Sequence, residues 1–188
     1  MRLILFALGI LFLAVGMSFA QERQETASSW VKAGTARVSL QLSSNANGYG
    51  DQFVPGFRYF ISDLLFVGGG VRYSSSTITV SRVDTDSTLY GLQVEIGGAL
   101  PISRYLIGSI SAGYNRYHAD FVSSGTSTND SFEGDGGVVT GNLEFFLNPK
   151  VSLLFGADYS VGTQTQISSG ITGNPRGFEL MTGFACYF

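Results

Sequence analysis

From residue 32 to residue 188, apolar and polar side chains alternate, and the alternation restarts at turn-forming residues to give eight segments. A period of two puts successive side chains on opposite faces of a strand, so this pattern makes sheet, not helix. The segments run approximately from Lys32 to Ser43, Gln52 to Ile61, Leu65 to Thr79, Thr88 to Leu100, Tyr105 to Asp120, Gly137 to Leu147, Val151 to Thr165 and Gly177 to Phe188. Each is long enough to cross a bilayer as a tilted strand, which takes about 9–11 residues. Three connections are tight: Ser62 to Leu64, Pro101 to Arg104 and Asn148 to Lys150. Four are longer and polar, near 44–51, 80–87, 121–136 and 166–176, and the two kinds alternate along the chain.

One face of these strands is apolar and uncharged through its central band, with Val38, Leu40, Leu42, Val67, Val71, Leu92, Val94, Ile96, Ile110, Val139, Leu143, Phe145, Leu147, Leu153 and Phe155 on it. On the same face Tyr73, Tyr90, Tyr114, Tyr159 and Phe178 fall at similar distances from the tight turns, as one aromatic girdle. Phe57, Tyr59 and Phe188 lie toward the other end, where a second girdle is expected. A soluble sandwich gives no reason for aromatics to align at one height, which favours a lipid-facing surface. The opposite face holds Arg37, Ser39, Gln41, Arg58, Arg72, Gln93, Glu95, Ser109, Ser111, Asn142, Glu144, Asp158, Ser160 and Glu179. An eight-stranded barrel has an interior just wide enough to be filled by side chains. Three arginines and four carboxylates there are tolerable only if paired. An ion-paired plug is expected, with Arg37, Arg58 and Glu144 low and Arg72, Asp158 and Glu179 nearer mid-height; a narrow cation-preferring channel is the alternative.

The last strand, Phe178 to Phe188, ends on an aromatic residue and puts Phe178, Leu180, Thr182, Phe184, Cys186 and Phe188 on one face, with Cys186 expected to fill a small lipid-facing site. Residues 1–20 combine Arg2, an apolar run from Leu3 to Val15 and Ser18-Phe19-Ala20, the plan of a secretory signal peptide cut before Gln21. The remaining domain spans residues 21–188. Of 11 basic residues Arg2 leaves with the leader, so 10 face 14 acidic ones at a net charge of −4, which does not suit a nucleic-acid partner. The single cysteine excludes an intramolecular disulfide.

With these features the chain resembles the small eight-stranded outer-membrane barrels of the OmpA and OmpX type, within the broad porin-family class of outer membrane protein beta-barrel domains. The resemblance spans the mature chain and rests on pattern, on the aromatic terminal strand and on Pro55-Gly56-Phe57-Arg58-Tyr59-Phe60-Ile61-Ser62-Asp63-Leu64-Leu65, which is similar to a second strand, turn and third strand of that class. It implies an all-β fold: an eight-stranded antiparallel transmembrane barrel with short periplasmic turns and longer extracellular loops, located in the bacterial outer membrane as a monomer. It also implies contact with outer-membrane lipid and lipopolysaccharide, assembly by the barrel-assembly machinery through the strand ending at Phe188, and a surface ligand held by the outer loops. Pro55 lacks an N–H, so the second strand is expected to begin near it or to bulge there.

No catalytic, cofactor-binding or metal-binding set is assigned, and a non-enzymatic surface or envelope protein is the expected function. His118 is the only histidine and thus the obvious general base, facing outward above the girdle with Asp120 two residues on. Barrel lipases that deacylate lipopolysaccharide carry a serine two positions after their histidine. Here Asp120 stands in its place, so lipid hydrolysis is the weakest reading. Gly68-Gly69-Gly70 and Gly134-Asp135-Gly136-Gly137 do not open helices and cannot cradle phosphate; close packing explains the first and a loop end the second. Ser123 to Glu133 lacks the acidic spacing of an EF-hand and is read as a solvated loop.

Overall fold

The computed structural model describes residues 31–45, 51–80, 83–123 and 129–188. The expected signal peptide, residues 1–20, lies outside them. Among the described residues nine strands form: β1 (Ala36–Asn45), β2 (Asp51–Phe60), β3 (Leu65–Val80), β4 (Val83–Ser103), β5 (Leu106–Ser123), β6 (Asn129–Asn148), β7 (Val151–Gln166), a two-residue β8 (Thr172–Gly173) and β9 (Arg176–Tyr187). Each long strand pairs antiparallel with the next, and β9 pairs with both β7 and β1, which closes a ring of eight. At the seam Leu40 faces Phe184 and Gln41 faces Gly183. Closure leaves no long strand with a bare edge across the band, which a membrane demands because lipid offers no hydrogen-bond partner.

Side-chain parity follows the sequence. Val38, Val67, Leu92, Ile96, Ile110, Leu143 and Phe155 are exposed on the outer wall, while Arg37, Arg58, Arg72, Asn142, Glu144, Asp158 and Glu179 are buried inside. Cys186 is free and partly exposed. Leu147 departs from the expectation. It is buried, because the β6–β7 register shifts between Phe146 and Asn148 and turns the side chain inward at the bulge.

Further boundaries differ from expectation. The first strand begins at Ala36, not Lys32; residues 31–35 form a turn in which Gly34 adopts φ 88° and Gly34 N donates to Phe60 O at 2.8 Å, and this tucks Val31 into the barrel's end. Pro55 neither starts β2 nor bulges it. It faces Leu40 of β1 in unbroken register, and the missing N–H coincides with a gap in the β2–β3 pairing between Phe53↔Tyr73 and Gly56↔Gly70. The expected loops 80–87 and 121–136 are mostly strand: β3 and β4 stay paired to Val80↔Val83, and β5 and β6 to Val122↔Asn129. The segment Gly134 to Gly137 is therefore strand interior, and residues 129–133 of the expected solvated loop are paired with β5.

The strands accordingly differ in height. β1 and β2 have 10 residues each, about what a tilted crossing requires. β4 has 21 residues, and at about 3.3 Å per residue and a tilt near 40° it rises roughly 50 Å against an apolar band of about 25 Å. The excess forms a tall wall on the side of β3 to β7, at the end opposite the short turns.

Candidate functional site

The lumen carries the densest chemistry, in three layers. At the short-turn end Phe60, Phe66, Ile107, Phe146, Leu154, Ala185 and Tyr187 form a buried apolar plug with Val31 and Ala99. Phe60 and Phe66 lie 5.5 Å apart between centroids, and Phe146 and Tyr187 lie 5.1 Å apart. These residues share the inward parity of the arginines, and they pack there because the interior narrows to side-chain width.

Two ionic layers sit above the plug. Arg37 Nη1 donates to Glu144 Oε2 at 3.0 Å, and Ser152 Oγ donates to the other oxygen of Glu144. Arg58 grips Glu95 with a bidentate fork, Nε to Oε1 at 2.5 Å and Nη2 to Oε2 at 3.1 Å, and its Nη1 reaches Ser109 Oγ at 3.2 Å. The Arg58 guanidinium lies 4.2 Å over the Phe66 ring, joining the ionic layer to the plug. Gly68 is required beside it, since a Cβ there meets Phe57 O at 2.6 Å and Arg58 Cγ at 2.9 Å.

The upper layer turns on Arg72. Its Nη1 donates to Glu179 Oε2 at 2.8 Å, its Nη2 to Asp158 Oδ2, and both Nε and Nη2 to Gln93 Oε1 at 3.1 and 2.9 Å. Glu179 also accepts from Gln52 Nε2 at 3.3 Å and Ser43 Oγ at 3.4 Å. Each of the seven charged side chains expected inside thus has an opposite partner, and the heights expected for Arg37, Arg58 and Glu144 and for Arg72, Asp158 and Glu179 hold. Such pairing offsets the desolvation that makes buried charges costly. The aliphatic and aromatic plug beneath them was not expected. Its signal was present where both parities turn apolar near the tight turns, as in Tyr59 to Ile61 and Phe145 to Leu147.

Toward the hairpin end the lumen opens into a cavity of about 110 Å³ floored by Gln52, Arg72 and Glu179. Beyond it lies a mouth of about 550 Å³ bordered by Phe121, Asp130, Phe132, Gln164 and Gln166. The Phe121 and Phe132 rings meet edge to face at 5.4 Å, and Asp130 Oδ1 accepts from Gln166 Nε2 at 2.9 Å.

His118 sits on the outer wall, as expected, stacked on Tyr90 at 5.2 Å. Its Nε2 lies 3.1 Å from Asp120 Oδ1, and the same carboxylate oxygen accepts from Ser131 Oγ at 2.6 Å. The carboxylate stands between hydroxyl and imidazole, so this trio is no serine–histidine relay, which needs the hydroxyl on the imidazole. The Ser131 hydroxyl bond chiefly holds the Asp120 carboxyl below its usual range; desolvation opposes it and the His118 bond adds to it.

The family profile described as "Outer membrane protein beta-barrel domain" matches residues 7–188. Among solved structures, Neisserial surface protein A aligns with a TM-score of 0.56 at 19% identity, covering 82% of this chain and 95% of that one. The outer membrane protein OprG from Pseudomonas aeruginosa aligns with a TM-score of 0.56 at 12% identity, covering 89% and 99% respectively. The N-terminal β-barrel domain of Pseudomonas aeruginosa OprF aligns with a TM-score of 0.52 at 10% identity, covering 82% and 98%. At these identities the likeness is one of fold. No curated protein matches the sequence.

Proposed function

Because the chain belongs to the outer membrane protein beta-barrel family and resides in the bacterial outer membrane, we propose that it is a closed, non-enzymatic barrel that anchors the β3–β7 wall at the cell surface for interaction with a partner. The observation that carries this reading is the filled lumen: two layers of ion pairs above an apolar plug. A water-filled conduit needs a wider ring of strands. In this reading the short turns face the periplasm, the tall hairpins face outward, and the protein works as a monomer. Lipid and lipopolysaccharide surround it, and the assembly machinery engages the strand ending at Phe188.

The test is single-channel recording from refolded full-length protein in a planar bilayer, with folding verified by heat-modifiable migration. Silence is expected. Discrete openings that change in Glu95→Gln or Glu144→Gln would replace this reading with a narrow, ion-conducting one. The interaction half of the proposal is checked by shortening the β5–β6 hairpin: the barrel should still assemble while binding to cells or surface ligand falls.

A further inference from the structure

The lumen's charges pair, yet they do not balance. Three guanidiniums, Arg37 of β1, Arg58 of β2 and Arg72 of β3, face four carboxylates, Glu95 of β4, Glu144 of β6, Asp158 of β7 and Glu179 of β9. One negative charge is therefore in excess. Its place is the upper layer, where Arg72 alone serves both Asp158 and Glu179. These two carboxylates are direct cross-strand neighbours on β7 and β9, an arrangement that repels unless a cation stands by. Arg37 and Arg58 are each engaged with a carboxylate of their own, Glu144 and Glu95.

A surplus of acceptor oxygens coincides with the surplus of charge. Asp158 is 3% exposed, and Thr140, its cross-strand neighbour on β6, is 4% exposed. Oδ1 of Asp158 and Oγ1 of Thr140 are buried and have no hydrogen-bond partner among the described residues. A carboxylate oxygen so placed is costly unless something binds it. Both residues line a cavity of about 30 Å³ between the two ionic layers, which Gly56, Gly69 and Gly70 also line. One water needs about 10–15 Å³, so the space suits a small ion. Thr140 Oγ1 makes no hydrogen bond to Oδ1, so a proton on that oxygen would lack an acceptor there. A divalent ion would overshoot the single excess charge, and no cluster of three His, Cys, Asp or Glu side chains stands among the described residues. Arg58 and Arg72 border the cavity too, which confines a cation to its Asp158 and Thr140 side.

We propose that this cavity binds one monovalent alkali cation, sodium or potassium, through Asp158 Oδ1 and Thr140 Oγ1, with water completing its shell. The ion balances the fourth carboxylate and ties β6 to β7 inside the barrel. The site goes beyond the proposed surface role, since it belongs to the lumen and needs no partner at the hairpins.

The test is urea unfolding of refolded full-length protein in phosphatidylcholine vesicles at pH 7, in sodium, potassium or choline chloride at one ionic strength. Choline is too bulky for the cavity and serves as the blank. Sodium or potassium should raise the unfolding midpoint above that in choline, and the rise should grow with alkali concentration as mass action requires. Thr140→Val keeps every charge and should weaken the apparent alkali affinity about tenfold, the scale of one lost contact to a charge. Asp158→Asn and Glu179→Gln each remove the excess charge and should erase the difference between salts. Glu133→Gln, the same charge change on the exposed outer wall, should leave that difference intact. Heat-modifiable migration verifies that each variant is folded. Equal midpoints of wild type in all three salts overturn the proposal. If the midpoint then falls as pH rises and Asp158→Asn removes that dependence, a proton balances the carboxylate; if not, water alone fills the cavity. An alkali effect undiminished in both Thr140→Val and Asp158→Asn also overturns it. Channel recording reads openings and not occupancy of this cavity, so the closed-barrel reading and this one fail separately.

Discussion

At Arg72 one guanidinium serves two carboxylates, so the members of this trio are not equivalent. Removing Arg72 strands Asp158 and Glu179 together as buried like charges, whereas neutralising Glu179 leaves Arg72 and Asp158 as a balanced pair. Arg72→Met should cost about 3–5 kcal/mol, the usual penalty for orphaning buried charge. Glu179→Gln should cost clearly less. Urea unfolding in lipid vesicles ranks the two, and equal losses would show that the cation is not shared. That these residues face inward was legible from parity alone. Who meets whom was not, because Arg72 and Glu179 are 107 residues apart and become neighbours only when β9 closes on β1 and β7. His118 gives the same lesson: its outward face was readable, its carboxylate-first arrangement with Ser131 was not.

The elements of the membrane band were readable, and those above it were not. Within the band one face meets lipid and the other the lumen, and the contrast writes a period of two into the sequence. Above it both faces of the β3–β7 wall meet water, so hydroxyl and acidic residues occupy either parity and the stretches 80–87 and 121–136 look like loops. Side chains are packed closely at that height too: an added Cβ at Gly134 falls 2.2 Å from Cζ of Tyr117. Gly134→Val should destabilise by about 1–3 kcal/mol as an overpacked site, and adding Tyr117→Ala should restore most of the loss in the urea midpoint. The β5–β6 hairpin should also respond to acid. Since the folded state depresses the Asp120 pKa, its bond with Ser131 stabilises fully above the unfolded value near 3.9 and is lost as pH falls through the lower, folded value. Acid titration followed by the NMR shifts of Asp120 and Ser131 should show this step, and Asp120→Asn should abolish it.

For the whole molecule, two structures are superimposed: a ring of backbone hydrogen bonds and a filling of side chains. The ring closes through β1 and β9 whatever fills it, so the two should separate experimentally. Phe66→Ala with Phe146→Ala removes the two largest fully buried side chains of the plug and should lower stability by several kcal/mol, at about 3–5 for each ring in a well-packed core. The β-type circular dichroism should survive, and transient openings should appear in the planar bilayer. Loss of the β spectrum would mean that the plug, not the ladder, holds the barrel. A lipid-facing barrel of eight crossings with charges inside was legible along the chain, because alternation against a nonpolar solvent is a local constraint on each strand. The ion-pair partners, the apolar plug and the tall wall emerged only on closure of the ring. Each of these arises from residues distant in sequence that register and closure bring to one height, and no single strand carries that information.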